Sequence, residues 1–359
     1  MDREEHRYNL AGRGVSGNVA GRFERLRVDA VDDGWDPDQG PLPVMRTQVS
    51  EEVARSAISY NRSPDLPFDR SINPYRGCEH GCVYCFARPS HAYLGMSPGL
   101  DFETRLIARP QAAEVLRREL AAKRYQVAPI AIGTNTDPYQ PIEKQHQITR
   151  QLLEVLSEVN HPVAIVTKGS LIERDIDILS DMAGRGLVRV GISVTTLDAK
   201  LGRLMEPRAP APKRRLQMIT RLAEAGIPVR VMASPMIPAL TDPELEAILE
   251  AGRDAGARSA SWIMLRLPYE VSELMQDWLA RHYPDRANRI MTRLREMHGG
   301  KTYDANWHTR MRGSGPYADI IAQRFDLAVK RLGLSTLSPP MRCDLFRPPK
   351  RASAQLDLF

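Results

Sequence analysis

Asn73-Pro-Tyr-Arg-Gly-Cys-Glu-His-Gly-Cys-Val-Tyr-Cys-Phe86 sets Cys78, Cys82 and Cys85 in the spacing C-x3-C-x2-C. A disulfide among three close cysteines strands one thiol, and the only other cysteine, Cys343, lies far along the chain. Structural zinc wants four ligands, commonly two separated pairs. His80 or His91 would complete such a set, so zinc stays open. Three thiolates from one tight loop also suit three irons of a [4Fe–4S] cube. The fourth iron is then left for a small molecule that binds through an amine and a carboxylate.

Outward from this loop, strand and helix patterns alternate. Ile72–Arg76 is an extended run leading into the cysteines, and Gln111–Ala122 reads as an amphipathic helix. Strand patterns follow at Pro129–Gly133, Val163–Thr167, Leu187–Val194, Val229–Ala233 and Ser261–Leu265. Helical patterns at Glu143–Val159, Ile172–Ala183, Lys213–Ala225 and Pro243–Ala255 fall between them. Six β-rich runs separated by helices predict an α/β fold of parallel βα units. The cysteine loop follows the first of these runs. The expected organisation is an irregular N-terminal arm and approach segment over 1–67, a βα core over 68–268, a helical extension over 269–345, and a linker with a terminal peptide over 346–359.

Composition excludes several classes. The 359 residues are 42% apolar and 26% charged, ordinary for a soluble globular protein. No run of eighteen apolar residues is present, and the charged start lacks the apolar core of a signal peptide. Few cysteines and no export signal predict a reducing cytoplasm and no membrane partner. The formal net charge of +6 biases the chain toward anionic partners. Arg281 to Arg312 holds eight basic residues against Asp285, Glu296 and Asp304. There Arg286, Arg289 and Arg293 share one helical face, while Ile290, Leu294 and Met297 share another. Such a face shows arginines to solvent or to phosphate.

The cysteine spacing, with the aromatic Tyr84 before the third cysteine, resembles the radical SAM superfamily. Gly133-Thr-Asn-Thr-Asp-Pro-Tyr139, Val166-Thr-Lys-Gly169 and Ile192-Ser-Val-Thr-Thr196 resemble its spore photoproduct lyase-like branch. The resemblance covers about residues 70–267 and implies a partial (βα)6 TIM-like barrel, a [4Fe–4S] cluster on Cys78, Cys82 and Cys85, and S-adenosylmethionine (SAM). It implies SAM contacts from Thr134, Asn135, Thr136 and Asp137 after the second strand, and a Lys168 ammonium on the SAM carboxylate. Ser193, ending the fourth strand, would bond the ribose or methionyl group, and Ala233 and Ser234, ending the fifth, would face adenine or ribose. Glu206-Pro-Arg-Ala-Pro-Ala-Pro212 resembles a substrate-side loop in which Arg208 would meet a phosphate or carboxylate. An electron donor such as flavodoxin or ferredoxin is implied.

Spore photoproduct lyase carries a hydrogen-donating cysteine near the second-strand end, where this chain has Gly133-Thr-Asn-Thr-Asp137. The donor would then be Cys343, Tyr84 or Tyr139, which leaves the substrate open. The terminal Gln355-Leu356-Asp357-Leu358-Phe359 resembles the pentapeptide by which bacterial polymerases and repair proteins bind the sliding DNA clamp. With the arginine-rich face it points to DNA. The leading expectation is a radical SAM enzyme that abstracts hydrogen from a DNA- or nucleotide-related substrate. An RNA- or peptide-modifying radical enzyme is the nearest alternative, and a clamp-tethered DNA-binding protein with a structural or redox-sensing cluster is the alternative from another class.

Overall fold

Five of the six β-rich runs pair into one sheet in chain order. The first strand of that sheet is Arg70–Ile72 rather than the expected Ile72–Arg76, whose Tyr75–Arg76 pairs elsewhere, with Arg105–Ala108. The computed structural model describes residues 10–24, 44–338 and 340–350. Its barrel strands are β1 (Arg70–Ile72), β2 (Ile130–Ile132), β3 (Val163–Thr167), β4 (Val188–Ser193), β5 (Val229–Met236) and β6 (Ser259–Met264). Every neighbouring pair from β1 to β6 is parallel. Ile58–Tyr60 adds an antiparallel strand beyond β1, and β6 forms the other end of the sheet. The strands read as apolar runs because both faces are covered: the successive residues Ile130, Ala131 and Ile132, and Val190, Gly191 and Ile192, are all buried. Helices α1 (Ala112–Leu120), α2 (Ile148–Glu158), α3 (Ile176–Gly184), α4 (Pro212–Glu224) and α5 (Leu245–Asp254) supply the outer layer. The result is the partial (βα)6 TIM-like barrel.

An exposed β6 edge would present unpaired backbone groups. Here the Ala260 N–H donates to the Ser335 carbonyl and the Met264 N–H to that of Met311, each at 2.9 Å. Three further helices follow: α6 (Val271–His282), α7 (Pro284–Met297) and α8 (Pro316–Leu332). The last belongs to the barrel's own core through Ile321, Phe325 and Val329. A second apolar cluster lies around the cysteine loop, where Val83, Leu100, Met205, Trp278, Leu279, Ile290 and Leu294 pack together. The amphipathic split expected for α7 is present: Ile290, Leu294 and Met297 are buried, while Arg286 and Arg289 are exposed.

Several local expectations are corrected. The single helix over Glu143–Val159 is two, Glu143–His146 and α2, separated by Gln147 at φ 52°. Glu143 causes the break, because its carboxylate accepts the Thr149 and Arg150 N–H groups and so caps α2. A three-stranded sheet of Gln48–Glu51, Arg105–Ala108 and Tyr75–Arg76 was not expected, since these short strands carry no strong alternation. β5 runs three residues past its expected end, and its pleat turns Ala233 into the barrel core while Met232 and Ser234 face the cavity.

The described part of the N-terminal arm is fastened to the cysteine loop. The Gly14 N–H donates to Glu103, Arg13 to the carbonyls of Glu103 and Met45, and the Val19 N–H to Ser97. A Cβ on Gly14 would stand 1.7 Å from the Gly81 carbonyl oxygen, so only glycine permits this approach. Trp35 and the terminal Gln355–Phe359 lie outside the described residues.

Candidate active site

The cysteine loop is built as a rigid cradle. The Cys78 N–H donates to the Phe102 carbonyl and the Val83 N–H to that of Met205. Gln140 bridges two loop backbones, accepting from the Glu79 N–H and donating to the Gly77 carbonyl. The Arg88 guanidinium, wholly buried, donates to the carbonyls of Cys82, Pro98 and Gly99 and forms a 2.5 Å ion pair with buried Glu103. All four cysteines are free thiols. Burial pushes the Cys78 thiol well above its usual range and the Cys82 thiol up to about 12, with Lys168 opposing the latter. Three thiols on one loop, beside a lysine that offsets negative charge, suit an iron–sulfur cluster as a donor set.

These thiols line one cavity of about 190 Å³ with the ends of the barrel strands. Thr134, Asn135, Thr136 and Asp137 enter it from β2, Lys168 from β3, Ser193 from β4, Ser234 from β5 and Arg266 from beyond β6. Gly133 is needed at the β2 end, because it sits at φ 88° and a Cβ there would meet the Val166 carbonyl at 2.0 Å. Asp137 is a hub: its carboxylate accepts from Thr167, the Lys168 N–H and the Tyr139 N–H, and lies 3.3 Å from His80. Burial alone would raise this carboxyl, but His80 and these donors hold it far below its usual range. With so many acceptor sites filled, Asp137 fixes the ends of β2 and β3. Ser193 and Thr136 donate their hydroxyls to the carbonyls of Ser234 and Tyr75. The Ser234 hydroxyl oxygen is buried without a hydrogen-bond partner.

Glu206 was not among the expected site residues. Its buried carboxylate accepts from Tyr84, Arg215 and Thr195 and stands 4.0 Å from Lys168 Nζ. Burial alone would raise its pKa, but Arg215 and then Lys168 hold it at about 2. Glu206 thereby joins the loop between β4 and α4 to the cysteine loop and to the β3 lysine. The signal in sequence was only an acidic residue before Pro207; its partners are 9 to 122 residues away.

Three expected roles move. Tyr139 does not line the cavity, and its hydroxyl is buried near Asp175 and Glu143. Arg208 forms a 3.1 Å ion pair with Glu79, so it is engaged by the cysteine loop. Cys343 lies at the opposite end of the barrel, because Arg342 bonds to Gly186 before β4 and Arg347 to Val159 before β3. Phe346 there stacks on Tyr125 and His161. Tyr84 alone of the three donor candidates borders the cavity.

Residues 72–252, half of the chain, match the Radical SAM superfamily. An uncharacterised protein of Mycobacterium tuberculosis is 36% identical over 253 residues, covering 69% of this chain and 73% of the relative. One of Methanocaldococcus jannaschii is 26% identical over 200 residues, covering 55% and 71%. Spore photoproduct lyase complexed with dinucleoside spore photoproduct is similar in fold, with a TM-score of 0.54 at 15% identity over 80% of this chain and 81% of that one.

Proposed function

The chain belongs to the radical SAM superfamily, and we propose that Cys78, Cys82 and Cys85 hold its cluster while the neighbouring strand ends hold its SAM. It is a radical SAM enzyme, and the cofactors of that family are a [4Fe–4S] cluster and SAM. When bound, they supply a 5′-deoxyadenosyl radical that takes a hydrogen atom from a substrate. The observation that carries the assignment is one cavity lined by all three thiols and by the ends of five successive strands.

In this reading each side chain has a physical task. Lys168, oriented by Glu206, offers its ammonium to the SAM carboxylate. Thr134 and Asn135 face the methionyl part, with Thr136 and Asp137 behind them as braces. Ser193 and Ser234 lie toward the ribose, and Ala233 acts through packing rather than contact. Phe86, Ile263, Met264 and Leu265 make the cavity wall that excludes water from a radical. Tyr84, bonded to Glu206, is the hydrogen donor candidate that borders the cavity.

The substrate we propose is DNA or a nucleotide derivative. Support comes from the net charge of +6, the exposed arginines of α7, and the fold shared with an enzyme seen with a dinucleoside photoproduct. Cytoplasmic location, a flavodoxin- or ferredoxin-type donor, and clamp binding through Gln355–Phe359 belong to the same proposal. No helix of the described residues is long and apolar enough to cross a membrane. The test is 5′-deoxyadenosine release by anaerobically reconstituted protein given SAM and dithionite, beside Cys82→Ala. Product from the unsubstituted chain alone is expected, and stimulation by DNA supports the substrate; no product from a verified, reducible cluster, with or without DNA, rejects the reading.

A further inference from the structure

The charges around the cavity are paired with one exception. Arg215 meets Glu206, Arg88 meets Glu103, Arg208 meets Glu79, and Arg310 meets Asp65 at 2.6 Å. Arg266 lines the cavity beside Cys85 and makes no hydrogen bond or ion pair among the described residues. Its guanidinium carbon lies 4.0 Å from the centroid of the Phe86 ring. Asp65 and Cys85 act on it only at range, and Asp65 is already held by Arg310. A partly buried cation with no direct ion-pair partner is costly, a cost that an arriving anion offsets. Contact with the Phe86 ring holds the guanidinium without using its N–H donors, which stay available to a ligand.

We propose that Arg266 is the receptor for a backbone phosphate of a nucleic-acid strand whose reacting nucleotide enters the cavity. The inference rests on the radical SAM reading above and adds the group by which that site recognises its substrate. A guanidinium fork matches phosphate oxygens in pairs, which a lone ammonium does not. The segment against the β6 edge supplies what a strand needs beside a phosphate contact. It is anchored by the Met264–Met311 backbone bond and carries Trp307 at 57% exposure, with exposed Lys301 near it. Phe86, 42% exposed, adds a second aromatic surface. Cations interleaved with exposed aromatic rings are the composition of a single-strand binding surface, in which bases stack and phosphates pair.

The experiment is a fluorescence-anisotropy titration of the full chain, cluster reconstituted, with labelled single-stranded decathymidylate and with its uncharged methylphosphonate analogue. Arg266→Gln is expected to weaken decathymidylate binding about tenfold and to lower the salt slope by about one. Arg266→Lys, which keeps the charge and loses the fork, should fall between, and serves if the glutamine variant does not fold. On the methylphosphonate strand the difference between the unsubstituted chain and Arg266→Gln should vanish. Arg253→Gln, a remote, half-buried arginine on α5, controls for net charge. Equal affinity of Arg266→Gln and the unsubstituted chain overturns the inference. So does a loss confined to SAM affinity, measured by calorimetry on the same samples, or Arg266 dependence seen only with a glutamate-rich peptide. Failure of the unsubstituted chain to bind decathymidylate while still releasing 5′-deoxyadenosine overturns this inference alone and leaves the radical SAM reading standing.

Discussion

Lys168 Nζ stands 4.0 Å from a carboxylate oxygen of Glu206, and the same carboxylate is bonded to Arg215 and Tyr84. The lysine comes from β3, the tyrosine from the cysteine loop, and the glutamate and arginine from the β4–α4 region. Glu206 thus sets where the one ammonium in the cavity points. Lys168→Ala should lower SAM affinity about tenfold to a hundredfold, the value of a charge-assisted contact. Calorimetric titration of SAM into the reconstituted protein measures this. An unchanged affinity would remove Lys168 from the SAM site.

The low pKa of Glu206 makes a prediction about acid stability. Its carboxyl titrates at about 2 in the fold and at 4.5 when unperturbed. A carboxylate whose pKa falls on folding contributes stability that is complete above the unfolded value and is lost as pH drops toward the folded one. The contribution is therefore full at pH 6 and declines between about pH 4.5 and pH 2. Glu206→Gln, which also leaves Arg215 without its counter-charge, should cost about 3–5 kcal/mol at pH 6. The gap between the two proteins should narrow by pH 3 in urea unfolding. A gap that stays constant with pH would show that packing, not ionisation, sets the effect.

How far the sequence revealed this site follows from the range of the interactions. The thiol spacing is local, so Cys78, Cys82 and Cys85 were legible from eight residues. Five of the six strands were legible because their apolar runs are bounded by turns, and strand ends pointed to Thr134–Asp137, Lys168, Ser193 and Ser234. The first, Arg70-Ser-Ile72, is short and mostly polar and was placed too late. Glu206 was not legible as a hub, because its partners Tyr84 and Arg215 carry no pattern that links them to it. Arg208 was read as meeting a phosphate or carboxylate from a substrate-side loop, and the fold sets it on the carboxylate of Glu79 in the cysteine loop. Ala233 was misplaced because β5 continues to Met236, which shifts the point where the pleat opens to the cavity.

Cys343 gives a prediction of no effect. Its segment is bound to Gly186 and Val159, which precede β4 and β3, while the cavity lies beyond the strands' other ends. Cys343→Ser should leave 5′-deoxyadenosine release within about twofold of the unsubstituted chain. Tyr84→Phe, by contrast, removes the hydroxyl bonded to Glu206 and should alter turnover. Loss of activity in Cys343→Ser with an intact thermal transition would mean that the C-terminal segment reaches the cavity during the reaction.

Arg88 and Glu103 supply the last prediction, which concerns the arm. The pair is fully buried, and Glu103 also accepts the Gly14 N–H, so the acid couples the cysteine loop to residues 10–24. Glu103→Gln leaves the Arg88 charge without its partner inside the protein and should cost about 3–5 kcal/mol. Gly14→Ala acts on the arm instead. Its Cβ would collide with the Gly81 carbonyl oxygen at 1.7 Å, and that atom is backbone of the cysteine loop. Either the arm lifts or the loop shifts. The arm is held mainly by side-chain bonds of Arg13, Asn18 and Arg22 and by Val15, whereas the loop is tied backbone to backbone to Phe102 and Met205 and pinned by buried Gln140, so the arm should yield. Limited proteolysis of Gly14→Ala should then cut within residues 10–24 at least about tenfold faster, with the global thermal transition little changed. The uncovered loop should also lose its iron–sulfur absorbance faster in air. An arm as resistant as in the unsubstituted chain would show that the loop, not the arm, gives way.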